Sequence, residues 1–179
     1  MIMIIIYKLI AKGLSGDIVD KSPLKVSFLN LKLVQKLCQS YVSADIAYQS
    51  YSACGLEYFR SDMAEPAFLE FGGALQICHF QVTNEATRSW QWAARMVEST
   101  NKLVVALNEI NCHDLVPPLL EKVGHELRAL SPLMNCAREE DPQKLSNWCS
   151  AMYCPKRQAK MANLYKGRQM QMETVHTQH

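Results

Sequence analysis

The sequence predicts an all-α protein, and two observations lead to this class. Between residues 26 and 130, apolar residues recur mainly at steps of three and four, which is the spacing of one face of an amphipathic helix. Apolar residues make up 49% of the chain and charged residues 20%, values typical of a folded globular protein. The 179 residues are enough for one domain with a sizeable core.

Residues 1–25 are interpreted as an N-terminal extension outside this domain. They begin with an Ile-rich run that would suit a strand and has no evident partner in a helical protein. The run is far shorter than the ~20 residues that cross a bilayer, and it lacks the basic lead and cleavage site of a signal peptide. We therefore expect no membrane span and a cytoplasmic protein.

The helical domain is predicted to cover residues 26–132 and to open with helical segments between residues 26 and 51. Apolar residues recur there at helical steps from Phe28 to Tyr41, and a second segment continues the pattern. Residues 133–179 show only short apolar faces and are expected to form a divergent C-terminal segment that is partly disordered.

A loop is expected over residues 72–83, because this stretch begins with Gly72-Gly73. His79 lies within it, between apolar residues. It is interpreted either as an ordinary loop residue or as one that reaches a bound cofactor.

The clearest pattern covers residues 84–130, which we interpret as two amphipathic helices joined by a polar turn. The first helix has a candidate cap at Asn84 or Thr87. Its apolar face consists of Ala93, Met96, Val97, Thr100, Leu103, Val104 and Leu107. The opposite, polar face carries Arg95, Glu98, Asn101 and Lys102.

The turn is predicted between residues 108 and 114, where small polar residues are too frequent for a helix. The second helix is expected to begin with Asp114 as its cap and with Pro117-Pro118 in its first turn, where the missing N–H costs nothing. Its apolar face consists of Leu119, Leu120, Val123, Leu127 and Leu130. Ser131-Pro132 is predicted to end it.

These two helices carry a resemblance to a known family. Residues 92–107 (WAARMVESTNKLVVAL), followed by residues 114–124 (DLVPPLLEKVG), resemble the distal and proximal helices of a globin in residue type and spacing. The resemblance implies a globin-like helical fold. That fold would be incomplete at the C-terminus, because globins have two further long helices after the proximal one.

Residues 55–71 add a second similarity. Globins end their second helix with a phenylalanine, continue with a proline-initiated short helix, and then place a phenylalanine against the haem. Phe59, Pro66 and Phe71, or Phe68 in place of Phe71, occur here in that order. Together the two similarities cover roughly residues 52–130.

The resemblance implies a haem-binding protein that reversibly binds oxygen or another diatomic gas. In that family the distal helix covers the open side of the haem, and the proximal helix carries the histidine that ligates the iron. The distal position falls on Trp92, with Gln91 beside it as the better partner for bound gas if the register shifts by one. Phe71 would pack on the porphyrin, and the metal ligand would be His125.

The proximal position itself falls on Leu127, two residues beyond His125. At about 100° per residue, His125 points nearly opposite the apolar face of its helix, so it could ligate iron only if the helix breaks or shifts near Gly124. The alternative is a haem-free globin-like protein whose pocket is filled by Leu127, Trp92 and Met96. Such a protein would act as an interaction or scaffold module for a protein partner.

Charge and motif content argue against several other classes. A formal net charge of +2, from 19 basic and 17 acidic residues, gives no reason to expect nucleic acid. Seven cysteines without paired spacing do not resemble a secreted disulfide framework, and the pair Cys149 and Cys154 is too loose to indicate a zinc site. The chain has no phosphate-binding loop, nucleophile elbow or zinc-protease motif, so no enzyme activity is expected.

Overall fold

The computed structural model describes residues 27–130 and, outside them, Leu164 alone, which is helical. Within residues 27–130 the chain forms five α-helices and one 3-10 turn, without strands, which confirms the predicted all-α class. The helices are α1 (Leu31–Leu37), α2 (Tyr41–Arg60), α3 (Ala64–Thr83), α4 (Trp90–Glu109) and α5 (Val116–Leu130), with the 3-10 turn His113–Leu115 before α5. Apart from Leu164, our expectations for residues 1–25 and 133–179 fall outside the described residues.

Side-chain caps fix where three of the helices begin. Asn30 caps α1, and Ser40 caps α2 through a capping box with Ser43, because their side chains accept otherwise unpaired N–H groups of the first turn. Ser89 caps α4 by accepting from the N–H of Trp92. The predicted cap at Asn84 or Thr87 was therefore wrong, since Asn84 instead ends α3.

The turn between α4 and α5 covers residues 110–115 and nearly coincides with the predicted segment, 108–114. Asn111 adopts a positive φ of 58°, a conformation that asparagine tolerates better than most residues. Asp114 was expected to cap α5 but lies inside the 3-10 turn that leads directly into it. Pro117 and Pro118 occupy the first turn of α5, as predicted.

The expected loop over residues 72–83 was wrong, because this stretch forms the second half of the 20-residue helix α3. The two glycines serve close packing instead of a turn. A Cβ added to Gly72 would lie 2.1 Å from the ring of Phe28, and one added to Gly73 would lie 2.8 Å from the ring of Tyr51. Their lack of a side chain therefore lets aromatic rings approach the backbone of α3 closely.

Helix α3 is the central element, because both α2 and α4 pack closely against it. The interface with α2 is tight at Gly55, where an added Cβ would lie 2.5 Å from the ring of Phe71. Helix α5 packs against α4 and contributes Leu120, Val123 and Leu127 to the core.

Helices α2 and α4 are joined by a row of polar side-chain pairs, which we call the polar seam. In each pair the two residues are 50 positions apart. The pairs are Tyr41–Gln91, Asp45–Arg95, Tyr48–Glu98 and Ser52–Lys102. A constant offset requires that the two helices run parallel and in register, and steps of four, three and four keep the pairs on one face of each helix.

The seam explains how charged residues are buried on the polar face of α4. The ammonium group of Lys102, a residue only 5% exposed, lies 2.6 Å from a carboxylate oxygen of Glu98 and 2.8 Å from the hydroxyl of Ser52. A buried ammonium group is tolerated when it is paired and hydrogen-bonded in this way. The polar face of α4 is therefore largely a helix contact and not a solvated surface.

Trp92 lies beneath the seam, fully buried in an aromatic box. The rings of Tyr41 and Tyr48 meet it edge-on, with centroid separations of 5.7 and 6.0 Å. The guanidinium carbon of Arg95 lies 4.6 Å from the Trp92 ring centroid, within the range of a cation–π contact. The box anchors the start of α4 to α2.

Candidate functional site

A cavity of about 390 Å³ lies between α3, α4 and α5. It is present because α5 packs on α4 while its backbone stays apart from that of α3. The walls are mainly apolar and come from all three helices. They include Phe68, Leu75, Met96, Leu103, Leu107 and Val123.

Part of the cavity wall is formed by the segment that precedes α1. The side-chain oxygen of Gln76 accepts from the backbone N–H groups of Phe28 and Leu29, at 2.9 and 2.8 Å, and its amide nitrogen donates to the carbonyl of Leu29 at 2.8 Å. These bonds hold the Phe28 ring over Gly72 and edge-on to Phe68, with centroids 5.3 Å apart. A single glutamine of α3 thus positions an aromatic wall of the cavity.

The charged residues that line the cavity are partly exposed, and we call the part of the cavity that they line its mouth. His79 projects from α3, and Lys122 and Glu126 project from α5, where a spacing of four residues places them on the same face. The Nε2 atom of His79 lies 3.1 Å from Oε2 of Glu126, so this pair spans the gap between the helices. This pair links α3 to α5 at the mouth of the cavity.

The carboxyl group of Glu126 lies in a positive environment. Its partial burial alone would raise its pKa, but the hydrogen bond from His79 and the charges of His79, Lys122 and His125 outweigh burial and hold the pKa below its usual value. The carboxylate is thus favoured in its charged form at the cavity mouth.

A pH-dependent contribution to stability follows from this lowered pKa. Since unfolded glutamate titrates near pH ~4.3, the stabilisation is complete above that pH and is lost as pH falls through the lower folded-state value. We expect Glu126→Gln to destabilise the protein near pH ~6 by up to ~1 kcal/mol, because the pair is partly exposed. Urea unfolding should show this difference shrinking below pH ~4. Glu121→Gln, at an exposed position of α5, is the control, and an equal loss in both variants would contradict the assignment.

The residues predicted to hold haem are distributed between the cavity, the core and the surface. Met96 lines the cavity. Phe71 and Leu127 are buried in the core and do not line it, and Trp92 occupies the aromatic box. Gln91 is exposed, where its side chain accepts from the hydroxyl of Tyr41.

His125, the predicted metal ligand, is exposed and does not line the cavity. Helix α5 is continuous through Gly124, which keeps a negative φ, so the break that would redirect His125 does not occur. The residues present therefore do not fit a haem ligated by His125. Among the described residues, no group of three or more His, Cys, Asp or Glu side chains could hold a metal ion.

Sequence reasoning missed Gln76, Lys122 and Glu126 and placed His79 in a loop. A signal was available in α3, because Phe68, Gly72, Leu75 and His79 follow helical steps. Gly72-Gly73 led instead to the prediction of a loop.

Comparison with protein-family models, with curated proteins and with solved structures found no match to this chain. In the part of the chain that the structure describes, no helix has the length and apolar character needed to cross a membrane.

Proposed function

We propose that this protein binds a small, mainly apolar molecule in the cavity between α3, α4 and α5. The cavity itself carries the proposal. Its volume of about 390 Å³ lies within the ~300–1,000 Å³ typical of small-molecule sites. Protein interiors are otherwise close-packed, with few voids larger than a water molecule.

The composition of the cavity agrees with this role. Ligand sites combine apolar walls with a few polar groups that orient the ligand. Here the apolar lining residues Leu75, Met96 and Leu103 are buried. The charged lining residues, His79, Lys122 and Glu126, are partly exposed. A ligand would enter with its apolar part first.

The proposal differs from the haem and diatomic-gas function that the globin resemblance implies. It retains a ligand-binding helical domain but assigns no role to His125, because that imidazole lies outside the cavity. It also places the site in a cavity, whereas a scaffold module with a filled pocket would act through its surface.

Straight-chain alcohols provide the direct test, since they lack charge and grow by one CH₂ at a time. We expect calorimetric titration of the full chain to show binding that tightens about fourfold per added CH₂, from ~0.8 kcal/mol per buried group, until the cavity is filled. Absence of binding, or affinity independent of chain length, would overturn the proposal.

A matched pair of variants locates the binding. Leu119 is a half-buried cavity residue, so Leu119→Trp should narrow the cavity and weaken binding, most strongly for the longest alcohols. Leu69 is exposed on α3 and does not line the cavity, so Leu69→Trp should bind as the parent does. Unchanged affinity in Leu119→Trp would place the alcohols elsewhere.

A further inference from the structure

Resting on the proposed function, we propose that the natural ligand carries a carboxylate, which takes the place of the Glu126 carboxylate beside His79 and Lys122. The ligand class is thus an alkyl or similar apolar carboxylic acid, with its chain in the cavity and its head group at the mouth.

The first support is the geometry of the mouth. The chain already holds a carboxylate there, 3.1 Å from Nε2 of His79 and on the same helix face as Lys122. Glu126 therefore occupies a place built for a carboxylate. An incoming carboxylate would contact the imidazole that Glu126 now contacts, near the charge of Lys122.

The second support is the charge around this point. Helix α4 faces the cavity with Met96, Leu103 and Leu107, and the segment before α1 faces it with Ser27 and Phe28, none of which is titratable. The titratable groups at the mouth are therefore His79 from α3 and Lys122 and Glu126 from α5. His125 adds a charge from the outer side of α5, and the lowered pKa of Glu126 reflects the sum of these positive neighbours.

The third support is that Glu126 can leave. The side chains of Glu126 and His79 are 25% and 43% exposed, so a displaced Glu126 carboxylate reaches water without crossing the core. A charged group that regains its hydration avoids the large desolvation cost of a buried, unpaired ion.

The experiment compares decanoate with decanol, which share a chain length and differ in charge, by titration of the full chain below the concentration at which decanoate forms micelles. We expect decanoate to bind at least tenfold more tightly. Equal binding would overturn the carboxylate assignment and leave the cavity proposal standing, whereas binding of neither compound would overturn the proposed function itself. Tighter binding of decylamine would also overturn the assignment.

Variants of the mouth test the mechanism through the ratio of the two affinities. Lys122→Met removes a positive charge, and His79→Gln removes the imidazole that now contacts Glu126. Each variant should lower the preference for decanoate severalfold. Glu126→Gln removes the competing carboxylate and should raise it. Lys32→Met, on the exposed face of α1, is the matched control and should leave the ratio unchanged. An unchanged ratio in all three mouth variants would overturn the displacement of Glu126.

Discussion

Replacing Trp92 by alanine is expected to lower the free energy of unfolding by about 3–5 kcal/mol, the range for removing a large buried aromatic side chain. Trp92 has no exposed surface, and its ring contacts Tyr41, Tyr48 and Arg95. Its removal would leave a space beneath the polar seam that these long side chains cannot fill without breaking their pairs across the contact between α2 and α4. The measurement is urea unfolding of the full chain, followed by far-UV circular dichroism.

Trp90 provides the control for this substitution, since it has the same side chain, lies in the same helix and is only half-buried. We expect Trp90→Ala to cost less than half as much as Trp92→Ala. A loss below ~1 kcal/mol for Trp92→Ala would be inconsistent with the packing described here, because such values are typical of surface substitutions.

Substituting alanine for two buried helical glycines is expected to change stability in opposite directions. At Gly55 a Cβ would lie 2.5 Å from the ring of Phe71, which is 1% exposed and cannot move aside. Overpacking of this kind costs about 1–3 kcal/mol and exceeds the gain in helix propensity. We expect Gly55→Ala to lower the free energy of unfolding by about 1–2 kcal/mol.

Gly124→Ala is the matched case. The nearest atom to an added Cβ there belongs to the guanidinium group of Arg128, at 3.6 Å, which is an ordinary contact. Only the helix propensity changes, so we expect Gly124→Ala to raise the free energy of unfolding by up to ~1 kcal/mol. Thermal and urea unfolding of both variants would check the pair. A stabilising Gly55→Ala would show that α2 and α3 are not in close contact at this point.

The parts of the fold that sequence predicted are those set by local periodicity. The helices on either side of the turn near Asn111 were predicted because Met96, Leu103 and Leu127, among others, follow regular helical steps. Helix α3 was misjudged in its second half because Gly72 and Gly73 indicate a turn in isolation. Their function becomes visible only when Phe28 and Tyr51, distant in sequence, are seen to pack on them.

The candidate site was less predictable, for a related reason. The pairing of His79 with Glu126 joins residues far apart in the chain, and no local pattern in one sequence reports such a contact. The pairs of the polar seam likewise join residues that are far apart in the chain. Arg95 and Lys102 have the sequence appearance of a solvated face, since nothing near them in the chain shows that α2 lies opposite.

The constant offset of 50 positions in the seam also bears on how the length of this chain can vary among descendants of the same gene. Residues gained or lost in the connections before and after α3 would alter the offset but not which faces of α2 and α4 meet. One residue inserted within either helix would turn every later side chain by about 100° and advance it by ~1.5 Å, so all pairs beyond it would part. Insertions and deletions should therefore be confined to the connections, while α2 and α4 keep their lengths between the first pair and the last.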